Sequence, residues 1–469
     1  MKKMLLALSL SGALLGGSVA WAEEAVTATA PTSDVAVLET AETSPIETTN
    51  ATEVAAVAEI STTEAAEPEA VLDTGDTAWI LVSTALVLLM TIPGLALFYG
   101  GMVRKKNVLN TMAYSFVAAA VVSIVWVVVG YSLAFGEGNA FIGSLDKVML
   151  AGIGTDALSG SIPEILFVIF QMTFAIITVA IISGSIAERM KFGAFVAFIA
   201  IWVVVVYAPI THWVWGGGWL GNDGALDFAG GTVVHINSGV AGLVAAYMLG
   251  KRMGLGRESM APHNLTLTVL GASLLWVGWF GFNGGSALGA NGAAGYALVV
   301  TQVAAAAAAI AWLVVEKLVR GKGSVLGAAS GAIAGLVVIT PAAGFVTVGG
   351  ALAMGLIGGV VCFWGITALK RALKADDSLD AFGLHGVGGI VGAILTAFFA
   401  SEFIMGDAAP SNLMSQLWVQ VEGVLATIAY SAVLTFIILK VIDLTIGIRV
   451  AAEDERMGLD LSQHGERVE

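Results

Sequence analysis

Two histidines have matching surroundings, and their imidazoles are the side chains of this sequence best suited to move a proton. His235 and His385 are each followed by glycines four and seven positions later, in the pattern H-x-x-x-G-x-x-G. Two imidazoles in contact can share a hydrogen bond, each alternately donor and acceptor. Separate hydrogen bonds that pack helices together are the alternative. Metal binding is not expected, because no cysteine or acidic cluster supplies further ligands.

Aromatic side chains form a second group of candidates, beside a run of three glycines at 216–218. Aromatic faces attract a small cation, most strongly where water is partly excluded. Tryptophan also collects at membrane interfaces and phenylalanine in cores, so this interpretation competes with a structural one. The group comprises three tryptophans expected in the loop after a fourth span, and three phenylalanines expected on spans three and six: Trp213, Trp215, Trp219, Phe170, Phe174 and Phe282.

One carboxylate lies close to the aromatic group in the sequence. Asp227 precedes Phe-Ala-Gly-Gly, just ahead of the segment that carries His235. Its side chain can hold or attract a cation. It can equally cap the following helix by accepting hydrogen bonds from backbone N–H groups. Both interpretations remain open from the sequence.

The composition predicts the kind of secondary structure that positions these residues. Hydrophobic residues make up 57 % of the 469 positions and charged residues only 12 %, against roughly 25 % charged in soluble domains. Such a chain cannot cover a water-facing surface, which excludes a soluble enzyme, a nucleic-acid binder and a disordered protein. We therefore predict an all-α integral membrane protein. Eleven apolar segments approach or exceed the ~20 residues that a membrane span needs: 77–98, 110–135, 163–184, 193–211, 230–250, 264–284, 292–316, 324–343, 346–369, 382–404 and 415–445.

The charges of the connecting loops predict the orientation. Basic residues occur in every second loop, whereas the alternate loops contain only Lys147. By the positive-inside rule the first span starts outside and the C-terminus is cytoplasmic, as expected for a multi-pass protein of the inner (plasma) membrane. The basic clusters are Arg104 to Lys106, Arg189 and Lys191, Lys251 to Arg257, Lys317 to Lys322, Lys370 to Lys374, and Arg449.

The chain also repeats itself. Residues 94–101 and 278–285 both follow G-x-x-x-F-[YN]-G-G, at the ends of spans one and six, and the two histidine motifs lie on spans five and ten. Equivalent elements are five spans apart, an odd number, so the two copies have opposite orientations. This inverted five-helix repeat is typical of transporters and channels, whose substrate path lies between the repeats. His235 and His385 are then expected to meet on the pseudo-two-fold axis.

The ends of the chain differ from the middle. Residues 1–22 have the basic start, the short apolar stretch and the Ala20-Trp21-Ala22 site of a signal peptide, although a membrane anchor is an alternative. Residues 23–75 form an acidic extension rich in Ala, Thr and Glu, for which we expect disorder and assign no function. We expect the membrane domain to span residues 76–446 and a cytoplasmic tail to occupy residues 447–469.

Four stretches of this sequence resemble the Amt/Mep/Rh ammonium transporters, and most closely the bacterial Amt branch. They are Thr91–Gly101, Asp227–Asn237, Gly278–Ser286 and Phe382–Val387. The resemblance runs from about Thr77 to Glu466. It implies eleven spans, a homotrimer and one pore through each subunit. The long acidic extension departs from the family pattern.

The resemblance also implies roles for seven positions and for several partners. The implied substrates are ammonium, ammonia and methylammonium for nitrogen uptake, and the implied partner of the tail is a P-II-type nitrogen regulatory protein. No cofactor, metal, catalytic residue or nucleic acid is implied. The residues are Trp215, Phe174 and Ser286 as the external recruitment site, Asp227 as its buried support, Phe174 and Phe282 as the gate, and His235 and His385 as the pore histidines.

These roles agree with elementary chemistry. Ammonium has four N–H donors and a removable proton, and potassium has neither. Moving the intact ion through an apolar pore costs several kcal/mol or more, so deprotonation and passage of neutral ammonia are favoured. We therefore predict a transporter or channel and not an enzyme. The alternatives are an ammonium sensor that acts through its tail, a channel for carbon dioxide, and an intramembrane serine protease whose nucleophile is Ser286 in Gly-Gly-Ser-Ala.

Overall fold

The computed structural model describes residues 70–468, and in that range eleven helices are long and apolar enough to cross a membrane. The fold-class prediction is confirmed. The predicted signal peptide and nearly all of the acidic extension lie outside the described residues. The helices are α1 Thr74–Met102, α2 Lys105–Phe135, α3 Glu164–Ile186, α4 Phe192–Asn222, α5 Gly231–Leu249, α6 Leu265–Gly284, α7 Gly292–Arg320, α8 Val325–Ala342, α9 Val348–Leu373, α10 Phe382–Phe399 and α11 Leu413–Thr445.

Shorter elements complete the described chain. A two-stranded antiparallel hairpin, β1 Leu158–Ser159 and β2 Ile162–Pro163, precedes α3. Two helices, α12 Ala452–Met457 and α13 Leu459–His464, follow α11. Single helical turns lie at Val148–Leu150, Glu402–Met405 and Gly406–Ala408. We call the two ends of the bundle the aromatic end, which carries Trp215, and the tail end, which carries α12 and α13.

Several helices begin at a residue whose side chain accepts a hydrogen bond from the first turn. This contact satisfies a backbone N–H that has no partner within the helix. Apolar periodicity alone locates a helix start only approximately, and these polar residues fix it. The capping residues are Asp73, Asn264, Asn291, Ser324, Thr347 and Asn412.

Several predicted span ends were off by a few residues, and those of α4 and α10 have clear structural reasons. Helix α4 does not end at residue 211, because its helical backbone continues to Trp215, is interrupted at the three glycines 216–218, and resumes over Trp219–Asn222. Trp213 and Trp215 therefore lie on the helical turn before this interruption rather than in a loop. Helix α10 ends at Phe399 rather than at residue 404, because the chain there turns to pair with the segment after α8, with Ser401 N donating to Phe345 O at 3.0 Å.

The two histidine-bearing helices cross with their backbones in contact. A β-carbon added at Gly239 of α5 would lie 2.3 Å from the backbone N of Gly386 in α10. One added at Gly389 of α10 would lie 2.8 Å from the carbonyl oxygen of Gly231 in α5. Small residues allow this close approach of helices in membranes. The glycines of the H-x-x-x-G motif therefore bring the two histidines together.

Helices α1 and α6, a second pair related by the repeat, also touch through glycines. A β-carbon at Gly271 would lie 2.2 Å from Phe98 N, and one at Gly101 would lie 2.6 Å from Thr268 N. Two of the five repeat-related pairs, the ones that carry the repeated motifs, are thus in direct contact, as an inverted repeat with a shared axis predicts.

The residues after α11 fold back onto the tail end of the bundle. Glu455 is buried, accepts a hydrogen bond from Met253 N at 2.6 Å and pairs with Arg449 at 2.7 Å. Asp460 is also buried, and its Oδ1 accepts from Asn110 N at 2.8 Å. The acidic residues of the predicted tail therefore hold α12 and α13 against the loops and the start of α2.

Candidate pore and recruitment site

A column of aromatic rings runs from the aromatic end into the bundle. The Trp215 ring lies perpendicular to Phe174, with centroids 5.9 Å apart. Phe174 stacks on Phe282 at 4.3 Å with an interplanar angle of 26°. Both phenylalanines are almost completely buried. The structure thus brings together Trp215 and the two rings predicted as a gate, although they belong to helices α4, α3 and α6.

The two histidines continue this column. The Phe282 and His235 centroids are 6.0 Å apart, and those of His235 and His385 are 5.2 Å apart. The Nδ1 atoms of the two histidines are 3.2 Å apart, within hydrogen-bonding distance. Trp279 stacks on His235 at 5.5 Å. The predicted contact between the histidines is therefore present, and it is buried.

The hydrogen bond between the two Nδ1 atoms determines which ring nitrogens carry protons. One ring must donate from Nδ1 and the other must accept there, so two neutral rings have opposite tautomers. The Nε2 of the first ring is then an acceptor, and the Nε2–H of the second is a donor. In the described part of the chain, the buried Nε2 of His235 has no hydrogen-bond partner. The pair thus offers both kinds of hydrogen bond to a small polar molecule in an apolar surrounding.

Asp227 has the geometry of a helix cap. Its Oδ1 accepts from the backbone N–H groups of Gly230 and Gly231 at 2.8 and 2.6 Å. Its Oδ2 accepts from Thr232 and Val233 at 2.8 and 3.1 Å. The carboxylate therefore compensates the N-terminus of the helix that carries His235. Of the two open interpretations, its contacts favour capping over direct binding of a cation.

Asp227 also reaches the aromatic column through its backbone. Trp215 Nε1 donates to the Asp227 carbonyl oxygen at 2.8 Å. One residue thus fixes both the start of α5 and the orientation of the Trp215 ring. Ser286 is more loosely connected to the group, since its Oγ donates to Phe282 O, one turn earlier, at 2.8 Å.

The sequence reasoning missed a second capping carboxylate. Asp377 precedes His385 by eight residues, the same interval that separates Asp227 from His235. Its oxygens accept from Ser185 Oγ at 2.7 Å, Ala381 N at 3.1 Å and Phe382 N at 2.8 Å. Extending the histidine motif towards the N-terminus, to D-x7-H-x-x-x-G-x-x-G, would have found it.

Charged groups surround Asp377, in contrast to Asp227. Lys370 Nζ lies 2.6 Å from Asp380 Oδ1, and Arg252 pairs with Asp376 at 2.8 Å. Burial alone raises the pKa of Asp376, but the hydrogen-bonded guanidinium of Arg252 holds that pKa below its ordinary value. Charged side chains therefore surround the capping carboxylate at the tail end, whereas Asp227 meets backbone N–H groups beside aromatic rings.

Eleven membrane-spanning helices in an inverted repeat, with a buried column of polar and aromatic rings between the halves, define a transporter or channel. The Ammonium Transporter Family model matches residues 78–469. The chain is 53 % identical over 401 residues to an ammonium transporter of Bacillus subtilis (strain 168), covering 84 % of this chain and 98 % of the relative. This chain belongs to the ammonium transporter family.

Solved structures agree with this assignment. The crystal structure of Candida albicans Mep2 matches with a TM-score of 0.77 and 39 % identity, over 84 % of this chain and 90 % of that one. A structure described as a Sensor Amt Protein matches with a TM-score of 0.78 and 31 % identity, over 83 % of this chain and 98 % of that one.

Proposed function

We propose that this chain recruits ammonium at Trp215, removes a proton from it, and conducts ammonia past Phe174 and Phe282 to His235 and His385. The observation that carries the proposal is the continuous column in which the rings of these five residues neighbour one another in that order, buried from Phe174 onward. Each contact has a chemical use, from cation binding at an aromatic face to hydrogen bonding at an imidazole.

Selection occurs at the aromatic end of the column. The Trp215 and Phe174 faces attract a cation, and the Ser286 hydroxyl accepts one of the N–H groups of ammonium. Below this site the stacked phenylalanines leave only an apolar route, in which an unpaired charge costs several kcal/mol or more. Ammonium therefore gives up one proton and continues as ammonia. Potassium has no proton to give and stops there.

The histidine pair serves both products of that deprotonation. The Nε2 atoms offer one acceptor and one donor to ammonia, so the molecule keeps hydrogen-bond partners in a pore that excludes water. The acceptor Nε2 of one ring takes up the proton that ammonium loses, and the Nδ1 proton of that ring passes to the Nδ1 of the other ring across the 3.2 Å contact. The other ring then releases its Nε2 proton, so both rings stay neutral. Asp227 does not touch the ion. It supports the site by fixing Trp215 and the first turn of α5.

The proposal extends to the ends of the chain and to its partners. Residues 1–22 are a signal peptide whose removal leaves Glu23 as the first residue, and residues 23–75 are an extracellular extension. The aromatic end faces outwards and the tail end faces the cytoplasm of a plasma membrane. The chain forms a homotrimer, and residues 447–469 bind a P-II-type nitrogen regulator. Basic residues in the loops of the tail end support this orientation.

Uptake of radiolabelled methylammonium by a host without ammonium transporters tests the proposal. We expect saturable uptake that exceeds the vector control. The variant Ser286→Ala separates this function from proteolysis, because a protease loses its nucleophile and all activity. The transporter loses one hydrogen bond, worth about 1 kcal/mol, and its apparent affinity falls a few-fold. Absence of saturable uptake at normal membrane abundance would contradict the proposal.

Sensing is the second candidate function, because one similar structure is described as a Sensor Amt Protein. A sensor binds ammonium without the need to move it. Binding of methylammonium to purified protein, together with no uptake into cells or vesicles, would favour sensing over transport.

A further inference from the structure

His212 is a buried histidine at the aromatic end to which the mechanism above assigns no role. Its ring lies between two backbone carbonyl oxygens, with Nδ1 3.0 Å from Ala134 O and Nε2 2.8 Å from Asn139 O. Both partners are acceptors only. Either neutral tautomer donates to one of them, and the doubly protonated ring donates to both. The ring therefore ties the turn of α4 before the glycines to the end of α2 and the segment that follows it.

Two neighbouring bonds reinforce this tie. Trp213 Nε1 donates to Phe141 O at 2.7 Å, and Trp219 N donates to Ala140 O at 3.0 Å. Together with His212, these donors engage three consecutive carbonyl groups, those of residues 139, 140 and 141. We call this set of contacts the α4 clamp. Because it joins parts of the chain about 70 residues apart, it is a tertiary contact rather than a local turn.

The glycines after Trp215 are needed for the α4 clamp. A β-carbon at Gly216 would lie 1.9 Å from Ala134 O and 2.8 Å from His212 Nδ1. One at Gly218 would lie 2.6 Å from His212 O. Any larger residue at these positions would push the carbonyl or the histidine ring away. The glycine run thus lets the chain pass close to the clamped ring.

Trp215 lies between the α4 clamp and the aromatic column. It follows His212 by three residues on the same helical turn, and its ring is held on the other side by Asp227 O and by Phe174. Any rotation of this turn would move the ring relative to Phe174. We propose that His212 is a positioning residue that acts through Trp215 to set the affinity of ammonium recruitment. This inference rests on the proposed recruiting role of Trp215.

The variant His212→Leu removes the hydrogen-bonding ring with little change in volume, and His212→Gln keeps N–H donors. We expect His212→Leu to raise the half-saturating methylammonium concentration about tenfold while the maximal rate stays within about twofold. The variant His212→Gln should recover part of this loss. His263→Leu is the matched control, since the His263 ring contacts a single carbonyl, Val103 O at 3.1 Å, at the tail end. It should change neither parameter.

A double-mutant cycle distinguishes positioning from general support of the fold. If His212 acts through Trp215, adding His212→Leu to Trp215→Leu raises the half-saturating concentration no further. A full additional increase in the double variant would overturn the inference, as would an unchanged affinity in His212→Leu. Should His212→Leu fail to reach the membrane, Trp213→Phe removes one bond of the α4 clamp. It is expected to shift the concentration about twofold in the same direction, and no shift would overturn the inference.

The same cycle shows which proposal has failed. If Trp215→Leu alone leaves the affinity unchanged, the recruitment site is wrong, and the role of His212 is wrong with it. If Trp215→Leu weakens uptake and His212→Leu does not, recruitment stands and only the role of His212 is wrong.

Discussion

Helices α5 and α10 share the same arrangement of carboxylate, histidine and glycines, but in different surroundings. Each begins beside a carboxylate that lies eight residues before a histidine, and each crosses the other through glycines. Asp227 meets four backbone N–H groups beside an aromatic column, whereas Asp377 lies among the charged side chains of the tail end. The repeat thus supplies two equivalent histidine supports, and the surroundings make one end suited to cation recruitment and the other to ionic contacts.

The largest expected effect comes from removing the charge of each carboxylate. Asp227→Asn places an amide among four N–H donors and should destabilise the protein by about 3 kcal/mol, with uptake reduced more than tenfold. Asp377→Asn should cost about 1 kcal/mol, because Asp377 accepts two backbone N–H groups and one hydroxyl. Thermal unfolding in detergent and methylammonium uptake measure the two effects. Equal losses of stability and uptake in the two variants would contradict the difference that we infer between the Asp227 and Asp377 sites.

Removal of the tail is expected to change uptake less than these substitutions do. Its effect on partner binding should be large. Removal of Val450–Glu469 eliminates Glu455 and its contacts with Met253 and Arg449. We expect copurification with a P-II-type regulator to be abolished, because that partner is proposed to bind this segment. Full regulator binding by the truncated chain would be inconsistent with the proposal.

The smallest effect is expected from the acidic extension. Deleting Ala25–Leu72 leaves the predicted cleavage site and all eleven helices, so uptake should stay within about twofold of the intact chain. Uptake per molecule at the membrane is the quantity to compare. A clear loss at normal abundance would give the extension a role in recruitment at the aromatic end.

Much of this architecture could be predicted from the sequence. The apolar segments predicted all eleven spans, and the repeated motif predicted the contact between His235 and His385. Both features depend on periodicity and order, which a sequence displays directly. The end of α4 was misplaced because the Trp-rich stretch before Gly216 was interpreted as a loop.

Contacts between distant backbone carbonyls and side chains could not be predicted. His212 has no repeat partner, and its acceptors, Ala134 O in the last turn of α2 and Asn139 O in the loop that follows, lie where no motif specifies the path of the chain. Asp377 was missed for another reason, since the comparison of the repeats began at the histidines and did not extend to the preceding loops. The contacts that decide between capping and cation binding by Asp227 also required coordinates.

The central claim is that the two imidazoles carry a proton separately from ammonia. Currents of ammonium and potassium through His235→Asp test it most directly, with His385→Ala and trimer abundance measured beside them. We expect His235→Asp to pass intact cations and to discriminate less against potassium, because an acidic group then replaces a neutral ring. His385→Ala should lower methylammonium uptake. Unaltered selectivity and rate in well-folded variants would contradict the account, as would loss of assembled protein with unchanged selectivity in the remainder.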